Sequence, residues 1–300
     1  AWFAMCKLNV IEVPINTANR GHLLQYLLAQ SGAKAIVIDE EFVERIADIA
    51  PDLPELQHII VLRDETNRGT QAIPSRILVH NLADLYLDGT PPSPSIDLNS
   101  PSVILYTSGT TGPSKGVVLS HEANLNLARH TKRLVGYDSN DVLYTAFPLF
   151  HINAKYTSVM CAMESDAKLV MDQKFTASGF WDITRKKGIT AFNYQGALLM
   201  MLWKQPEKVT DLDNPIRNGF GAPCPADIWE PFEARFGLML TEVYGMTEIA
   251  IATENTKSHR KIGTAGRETD NYELRILMKT IIRYLPIPLE RSWFDPKNRQ

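Results

Sequence analysis

Residues 107–117 read Thr-Ser-Gly-Thr-Thr-Gly-Pro-Ser-Lys-Gly-Val, and they follow directly on the run 103–106, which ends in Tyr106 and predicts a buried strand. Glycines let backbone N–H groups turn toward an anion, hydroxyl groups add hydrogen-bond donors, and a lysine supplies one compact positive charge. The stretch therefore predicts a loop that binds a triphosphate. Its candidate ligands are Thr107, Ser108, Gly109, Thr110, Thr111, Gly112 and Lys115.

Two common nucleotide motifs are excluded by the residues themselves. The loop of the P-loop NTPases needs Gly-Lys-Ser/Thr leading into a helix, whereas here Ser114 precedes Lys115 and the strand-like residues 117–119 follow. Residues 219–224 superficially match a dinucleotide fingerprint, but Cys224 occupies the third glycine position and Pro223 interrupts the loop. A nicotinamide cofactor is therefore not expected.

Outward from the loop, short apolar runs alternate with amphipathic stretches. Helices are predicted at residues 21–30 and, behind a turn-rich segment 219–223, at residues 225–236. This alternation predicts an α/β fold with mostly parallel β-sheets flanked by helices, in which ligands bind beyond the carboxyl ends of the strands. The predicted strands are residues 10–15, 35–38, 59–62, 103–106, 142–146, 168–171, 189–194 and 239–243.

Composition narrows the class of protein. The 300 residues are 44% hydrophobic and carry a formal net charge of -3 without basic blocks, so no nucleic-acid partner is expected. No apolar run approaches the roughly 18 residues of a membrane-spanning helix, and a signal-peptide pattern is not seen. These features predict a cytoplasmic protein that binds small molecules, with Cys6, Cys161 and Cys224 as reduced thiols. They predict nothing about its oligomeric state.

The loop resembles the phosphate-binding signature of the adenylate-forming superfamily, which comprises acyl- and aryl-CoA synthetases, firefly-type luciferases and the adenylation domains of peptide synthetases. Further segments resemble the family's motifs in the family's order, over roughly residues 1–276. The resemblance implies the large N-terminal domain of that fold, without its small C-terminal domain. The four further segments are 147–151 (Phe-Pro-Leu-Phe-His), 219–223 (Gly-Phe-Gly-Ala-Pro), 244–248 (Tyr-Gly-Met-Thr-Glu) and 263–267 (Gly-Thr-Ala-Gly-Arg).

The resemblance also implies roles for single residues. Tyr244 would stack on adenine, Thr247 would hydrogen-bond the α-phosphate, and Glu248 would help to hold Mg²⁺, a cation that favours carboxylate and phosphate oxygens. His151 would lie near the substrate carboxylate or the thiol entry path. The implied catalytic residues are Lys115, His151, Thr247 and Glu248; the further nucleotide-binding residues are Gly221, Ala222, Pro223, Tyr244, Gly245 and Met246.

The implied activity is ATP-dependent conversion of a carboxylic acid, fatty or related, to an acyl-adenylate, followed by transfer to coenzyme A. Such a step needs positioning and charge stabilisation, and the sequence offers no Cys-His or Gly-x-Ser-x-Gly nucleophile arrangement. Two alternatives stay open: an impaired nucleotide- or acyl-binding pseudoenzyme, and an amino-acid adenylation module. The second is disfavoured because His151-Ile152-Asn153 lacks the aspartate that would pair with an ammonium group.

Both ends of the chain are expected to be unusual. Residues 1–276 are predicted to form the large domain, incomplete at its N-terminus, with a possible subdomain junction near 88–101. Residues 277–300 are predicted to be an atypical tail, because neither a helical nor a strand period is sustained near its prolines. The family's adenylation lysine and ribose-binding aspartate are not visible in this sequence. Residues 1–7 have the apolar density of a helix packed in a core.

Several conspicuous residues have a purely structural interpretation. Lys155 is expected to extend to solvent rather than to face the substrate. The apolar helical stripe is expected to be core rather than acyl pocket; it consists of Leu198, Leu199, Met200, Met201 and Trp203. His121 and His130 lack Cys, Asp or Glu companions at ligand spacing, so a structural metal site is not expected there.

Overall fold

The computed structural model describes residues 1–62, 70–86, 90, 92, 94–107 and 113–275. Helices and strands alternate through most of this part of the chain, as the hydrophobic pattern predicted. The helices are α1 (Trp2–Lys7), α2 (Gly21–Ser31), α3 (Val43–Ala47), α4 (His121–Val135), α5 (Ile152–Ala154), a π-helix (Lys155–Met160), α6 (Cys161–Glu164), α7 (Ala177–Lys187), α8 (Gly196–Trp203) and α9 (Trp229–Phe236). Short 3₁₀ turns lie at Glu40–Phe42, Ala50–Asp52, Thr70–Ala72, Leu82–Leu85 and Lys257–His259.

The strands assemble into sheets of different size. They are β1 (Ala35–Asp39), β2 (His58–Leu62), β3 (Leu78–Asn81), β4 (Pro101–Thr107), β5 (Lys115–Ser120), β6 (Val142–Thr145), β7 (Lys168–Met171), β8 (Ala191–Tyr194), β9 (Asn218–Gly221), β10 (Met239–Met246), β11 (Ala250–Asn255) and β12 (Arg267–Glu268). Among the described residues, β1-β2-β3 form a parallel sheet and β4-β5 an antiparallel pair. The largest sheet has the order β12-β11-β10-β9-β8-β6-β7 and is parallel from β7 to β10.

Aromatic packing holds the helices α7, α8 and α9 against the large sheet. Phe180 lies 5.1 Å from Phe192, ring centre to ring centre, and Trp181 stacks on Phe236 at 4.3 Å. Each such side chain contributes a large buried apolar area, and Trp229 at the start of α9 is fully buried. This core fixes the carboxyl ends of β8, β9 and β10 relative to one another.

Local sequence explains where α4 begins and ends. The hydroxyl of Ser120 accepts a hydrogen bond from the N–H of Ala123 at 3.1 Å, which satisfies one of the free donors of the first turn. Gly136 follows the last residue with a φ of 71°, a left-handed conformation that favours glycine. The helix connects β5 to β6, and both of its ends are defined by local sequence.

The strand predictions are confirmed except for residues 10–15. That segment is extended but contributes only the bridge between Glu12 and Val103. Strands β3, β9, β11 and β12 were not predicted, and β10 continues three residues beyond the predicted end. In the predicted turn 219–223, residues up to Gly221 belong to β9, and the helix expected from residue 225 begins at Trp229.

Two predictions about packing are wrong at the N-terminal side of the fold. Residues 2–7 form a helix, but none of them is buried, and Phe3 is 43% exposed. Lys155 does not extend to solvent: it is 1% exposed and its Nζ lies 2.6 Å from a carboxylate oxygen of Glu12. The residues 143 positions apart in the chain thus form a buried ion pair.

The stripe on α8 is mostly core, as predicted. Leu198 and Leu199 are buried and Met200 and Trp203 pack against the same core, whereas Met201 is 47% exposed. The cysteines Cys6, Cys161 and Cys224 carry free thiols. Burial raises the pKa of Cys161 and of Cys224 to about 12, so neither forms a thiolate near neutral pH.

Two of the expectations about chain organisation fall wholly or partly on residues that the structure does not describe. Residues 277–300 lie outside the described residues, as do positions 88, 89, 91 and 93 of the expected junction. The domain boundaries therefore stay a prediction. Within the part of the chain that the structure covers, no helix combines the length and apolar character needed to cross a membrane.

Buried His130 on α4 should make the stability of the fold depend on pH. Desolvation, with a smaller contribution from the like charge of Arg133, lowers its pKa, while Glu254 and Asp270 act in the opposite direction. A histidine held neutral in the folded state binds its proton more readily in the unfolded chain, so stability is lost as the pH falls through about 6.5 and below.

We therefore expect the free energy of unfolding to fall between pH 7.5 and pH 5.5, and His130→Gln to reduce that fall. Urea unfolding at several pH values measures it. His22→Gln, at an exposed position, is the matched control and should leave the slope unchanged. An identical pH dependence in wild type and His130→Gln would contradict the prediction.

Candidate active site

A cavity of about 630 Å³ lies beyond the carboxyl ends of β8, β9 and β10, beside the end of the β4–β5 pair at which Thr107 faces Lys115. It is lined by residues from four of the five sequence-predicted segments and by their neighbours. The predicted site residues that line it are Thr107, Lys115, His151, Gly221, Ala222, Tyr244, Gly245, Met246, Thr247 and Glu248. Pro223 is not among the lining residues, and Ser108, Gly109, Thr110, Thr111 and Gly112 lie outside the described residues.

The two ends of the predicted phosphate loop are held by a strand pair and a helix. Thr107 ends β4 directly opposite Lys115, the first residue of β5. The hydroxyl of Tyr26 on α2 donates to the carbonyl oxygen of Ser114 at 3.0 Å, and the hydroxyl of Tyr106 donates to the carbonyl of α2 residue Leu27 at 3.1 Å. The loop ends are therefore fixed to a helix that packs on the neighbouring small sheet.

Gly221 ends β9 at a place where only glycine fits. It pairs with Tyr194 of β8 on one side and with Glu242 of β10 on the other. A Cβ at this position would overlap the carbonyl oxygen of Tyr194 and would lie 2.8 Å from its carbonyl carbon. The close approach of the two strands brings Ala222, the next residue, to the cavity wall.

A buried carboxylate supports the turn after β9, and the sequence did not predict it. Glu242 is 9% exposed and accepts a hydrogen bond from the backbone N–H of Cys224 at 2.7 Å. Desolvation raises the pKa of Glu242, while the bonds from Cys224 and from Asn255 partly offset this. The only available signal was one acidic residue inside the otherwise apolar and small-residue strand 239–243.

The Tyr244–Glu248 segment presents an aromatic ring, a hydroxyl and a carboxylate to the cavity. The β10–β11 register shifts between Tyr244 and Gly245, and a Cβ on Gly245 would overlap the carbonyl oxygen of Ala250. Tyr244 is 50% exposed, so its ring face is accessible from the cavity. The irregularity in the ladder thus turns the strand end toward the cavity.

The charges at the cavity wall are few. Lys115 and Glu248 are both exposed, and among the residues that the structure covers neither forms an ion pair. Glu248 is the one acidic residue in the described lining. The cavity therefore offers one cation and one anion that a charged ligand can engage.

His151 is placed at the N-terminus of α5 with a defined ring orientation. Its Nδ1 accepts a hydrogen bond from the backbone N–H of Asn153 at 3.2 Å, and desolvation of the ring lowers its pKa. Near neutral pH the ring is therefore uncharged and carries its proton on Nε2. The residue can donate a hydrogen bond without adding charge.

A buried amide behind this segment was also missed. Asn193 on β8 is 4% exposed and does not line the cavity. Its Nδ2 donates to Oδ1 of Asn153 at 2.9 Å and to Oγ1 of Thr157 at 2.8 Å, and both of those residues do line the cavity. Nothing in the local sequence around residue 193 indicates these contacts, since they join β8 to the helical segment 152–160.

The fifth predicted motif, residues 263–267, lies at the sheet edge and is not part of the cavity lining. Gly266 has a φ of 84°, and a Cβ there would overlap the carbonyl oxygen of Glu254. Arg267 forms an ion pair with Glu254 at 2.8 Å. This turn therefore packs β12 against β11 rather than contacting the site.

Comparisons with known proteins agree with this architecture. Long-chain fatty acid transport protein 5 of Homo sapiens is 32% identical over 257 residues, which are 82% of this chain and 36% of the relative. The crotonobetaine/carnitine–CoA ligase of Salmonella paratyphi B is 29% identical over 282 residues, 92% of this chain and 53% of the relative. The chain thus spans about a third to a half of the length of these relatives.

Solved structures match the fold over most of the chain. The anthranilate CoA ligase AuaEII in complex with anthranoyl-AMP superposes with a TM-score of 0.77 at 21% identity, covering 93% of this chain and 54% of that one. ATP-bound MatB from Rhodopseudomonas palustris gives a TM-score of 0.71 at 26% identity, covering 89% and 51%. A family model described as AMP-binding enzyme matches residues 1–287, and the chain belongs to that family.

Proposed function

We propose that this chain binds ATP and a carboxylic acid in one cavity and joins them to an acyl-adenylate, which then passes its acyl group to coenzyme A. The observation that carries the proposal is the convergence of Lys115, His151 and the Tyr244–Glu248 segment on that cavity. The structural neighbours bound to ATP or to anthranoyl-AMP support it, as does the CoA ligase among the relatives.

The chemistry requires electrostatic help rather than a protein nucleophile. A carboxylate oxygen attacks the α-phosphorus of ATP, the bond to the bridging oxygen breaks, and pyrophosphate leaves with both electrons of that bond. Lys115 would neutralise phosphate charge, and the hydroxyl of Thr247 would hydrogen-bond the α-phosphate. Tyr244 would bind the adenine by stacking, with Gly221 and Ala222 at its edge.

Mg²⁺ fits the residues at the cavity wall. Glu248 is an exposed carboxylate in the lining with no ion-pair partner in the described part of the chain. The described residues hold no cluster of three or more protein ligands for a metal. Mg²⁺ characteristically binds through one or two carboxylates together with substrate phosphates and water, so Glu248 would hold it against the phosphates and the ion would supply charge neutralisation.

Apart from Lys115 and Glu248, the described lining of the cavity is uncharged. It combines the apolar side chains of Leu127, Ile152, Phe220 and Ile251 with uncharged polar groups, and His151 is neutral. An α-ammonium group would find no carboxylate there other than Glu248, which is assigned to Mg²⁺. We therefore propose a fatty or related acid as the substrate, rather than an amino acid, and a cytoplasmic location where thiols stay reduced.

The test is ATP–pyrophosphate exchange with butyrate, decanoate, palmitate, crotonobetaine, benzoate and a mixture of amino acids. Lys115→Ala should lower the acid-dependent rate about 10- to 100-fold, because one charged donor to the phosphates is lost. Glu248→Gln should raise the Mg²⁺ concentration required for half-maximal exchange. Lys187→Ala, at an exposed position of α7 away from the cavity lining, is the control and should exchange normally.

Each other outcome favours a specific alternative. Binding of Mg-ATP by the folded chain without exchange would indicate a nucleotide-binding protein without adenylating activity. Exchange that depends on an amino acid would indicate an adenylation module. Failure of the folded chain to bind ATP at all would overturn the proposal.

A further inference from the structure

We propose that Asn193 is a positioning residue that orients the side-chain amide of Asn153, so that Nδ2 of Asn153 donates a hydrogen bond to the carboxylate of the acid. The inference rests on the proposed function of the same cavity. Asn193 itself is buried behind the cavity wall, on β8.

The direction of each hydrogen bond follows from the donors available. The hydroxyl of Thr157 donates its single proton to the backbone carbonyl of Asn153, at 2.6 Å. Oγ1 of Thr157 must then accept from the neighbouring Asn193, so the atom of Asn193 at 2.8 Å is the amide nitrogen Nδ2. That same nitrogen lies 2.9 Å from the side chain of Asn153 and donates to it as well, so the acceptor there is Oδ1.

With Oδ1 so engaged, the amide of Asn153 is left with its two N–H donors. Among the residues that the structure describes, Nδ2 of Asn153 has no protein acceptor, and Asn153 lines the cavity. Its backbone N–H binds Nδ1 of His151, which leaves the Nε2 proton of that ring as a second donor. One network therefore supplies two uncharged hydrogen-bond donors at the cavity wall.

Uncharged hydrogen-bond donors are suited to holding a carboxylate that is about to react. A carboxylate that must attack phosphorus needs to be held without being fully neutralised, and neutral donors orient its oxygens while leaving it nucleophilic. The same donors disfavour a substrate ammonium group, which is itself only a donor. The orientation that Asn193 imposes thus selects for the anionic end of the substrate.

The decisive variant is Asn193→Asp, which keeps the shape of the side chain but offers only acceptors. The Asn153 amide must then rotate to donate to Asp at position 193, and its Oδ1 would face the cavity and repel a carboxylate. We expect the KM for the acid in pyrophosphate exchange to rise about 10- to 100-fold, with the KM for ATP unchanged within about twofold.

Asn218→Asp is the matched control. Asn218 is 6% exposed on the adjacent strand β9, donates from its Nδ2 to the hydroxyl of Thr241 at 3.0 Å, and does not line the cavity. Asn218→Asp therefore reproduces the loss of stability that results from placing an aspartate side chain inside the same sheet. The KM for the acid should be unaffected in this variant.

A double-mutant cycle separates positioning from general disruption. Asn153→Leu alone should raise the KM for the acid because it removes the donor. In that background Asn193→Asp should add less than about twofold, since no amide remains to be turned. If Asn193→Asp does not fold, Asn193→Ala, which frees the amide to rotate, replaces it in the cycle with a smaller expected rise.

The outcomes distinguish this inference from the proposed function. Wild-type exchange with an acid from the panel, combined with equal acid KM values for Asn193→Asp and Asn218→Asp, would overturn the inference alone. Additive effects of the Asn153 and Asn193 substitutions would do the same. A folded wild-type chain that shows neither exchange nor acid binding would overturn both.

Discussion

Replacing Lys155 by Met while Glu12 is retained should lower the free energy of unfolding by about 3–5 kcal/mol. The Lys155 side chain is 1% exposed and that of Glu12 is 11% exposed, and Nζ lies 2.6 and 2.8 Å from the two carboxylate oxygens. The ammonium also lies 3.7 Å from the ring centre of Trp2. Removing it leaves a carboxylate buried without a counter-charge, and the loss of the cation–π contact adds to the cost.

Urea unfolding of single and double variants measures this effect. Glu12→Leu combined with Lys155→Met should recover most of the lost stability, because a buried ion pair replaced by apolar groups is often close to neutral. Arg185→Met is the control, since the carboxylate of its partner Asp182 is 75% exposed and this pair should contribute less than about 1 kcal/mol. A Lys155→Met protein as stable as Arg185→Met would show that the buried pair is not needed.

This ion pair also shows what the sequence could not reveal. A lysine beside apolar residues is ordinarily an exposed side chain with a buried stem, and nothing near residue 155 indicates a carboxylate 143 positions earlier. The contact exists because the extended segment around Glu12 runs beside Val103 of β4 and meets the π-helix Lys155–Met160. Such pairings are set by tertiary structure alone.

The strands that were predicted are those in which apolar or β-branched residues form a continuous run. Strand β9 was missed because it reads Asn-Gly-Phe-Gly, and glycine and asparagine are depleted in strands. It forms here because the glycines let β8 and β10 approach on either side, a tertiary requirement that overrides the local preference.

The residues of the candidate site also fall into two groups, those visible in the local sequence and those found only in the structure. Lys115, His151 and the residues 244–248 lie within short segments whose chemistry is visible locally, and the cavity brings them together. Glu242 and Asn193 support that cavity from behind, and each acts through a hydrogen bond to a distant segment. Residues at the cavity wall could therefore be predicted from the sequence, whereas the buried residues behind that wall required the structure.

The largest effect on the site should come from Gly221→Ala, for which we expect loss of ATP affinity by at least about 100-fold and a stability loss of more than about 3 kcal/mol. The added methyl would overlap the backbone carbonyl oxygen of Tyr194, which cannot rotate away as a side chain would. Tyr194 is fully buried in the interior strand β8, so β9 must shift instead. That shift would displace Ala222, the next residue, at the cavity wall.

Isothermal titration with Mg-ATP and urea unfolding measure the two effects separately. Gly179→Ala on α7 is the control, because its Cβ would approach only the Thr176 hydroxyl at 3.0 Å, and helical alanine is favourable. Gly219→Ala, two residues before Gly221 on the same strand, would meet only side-chain atoms, the nearest of Leu240 at 2.8 Å, and should destabilise with a smaller effect on ATP binding. Unchanged ATP affinity in a folded Gly221→Ala protein would mean that the end of β9 does not position the nucleotide. A large loss of ATP affinity in Gly221→Ala, a smaller loss in Gly219→Ala and none in Gly179→Ala would tie nucleotide affinity to the spacing of β8 and β9 at Gly221.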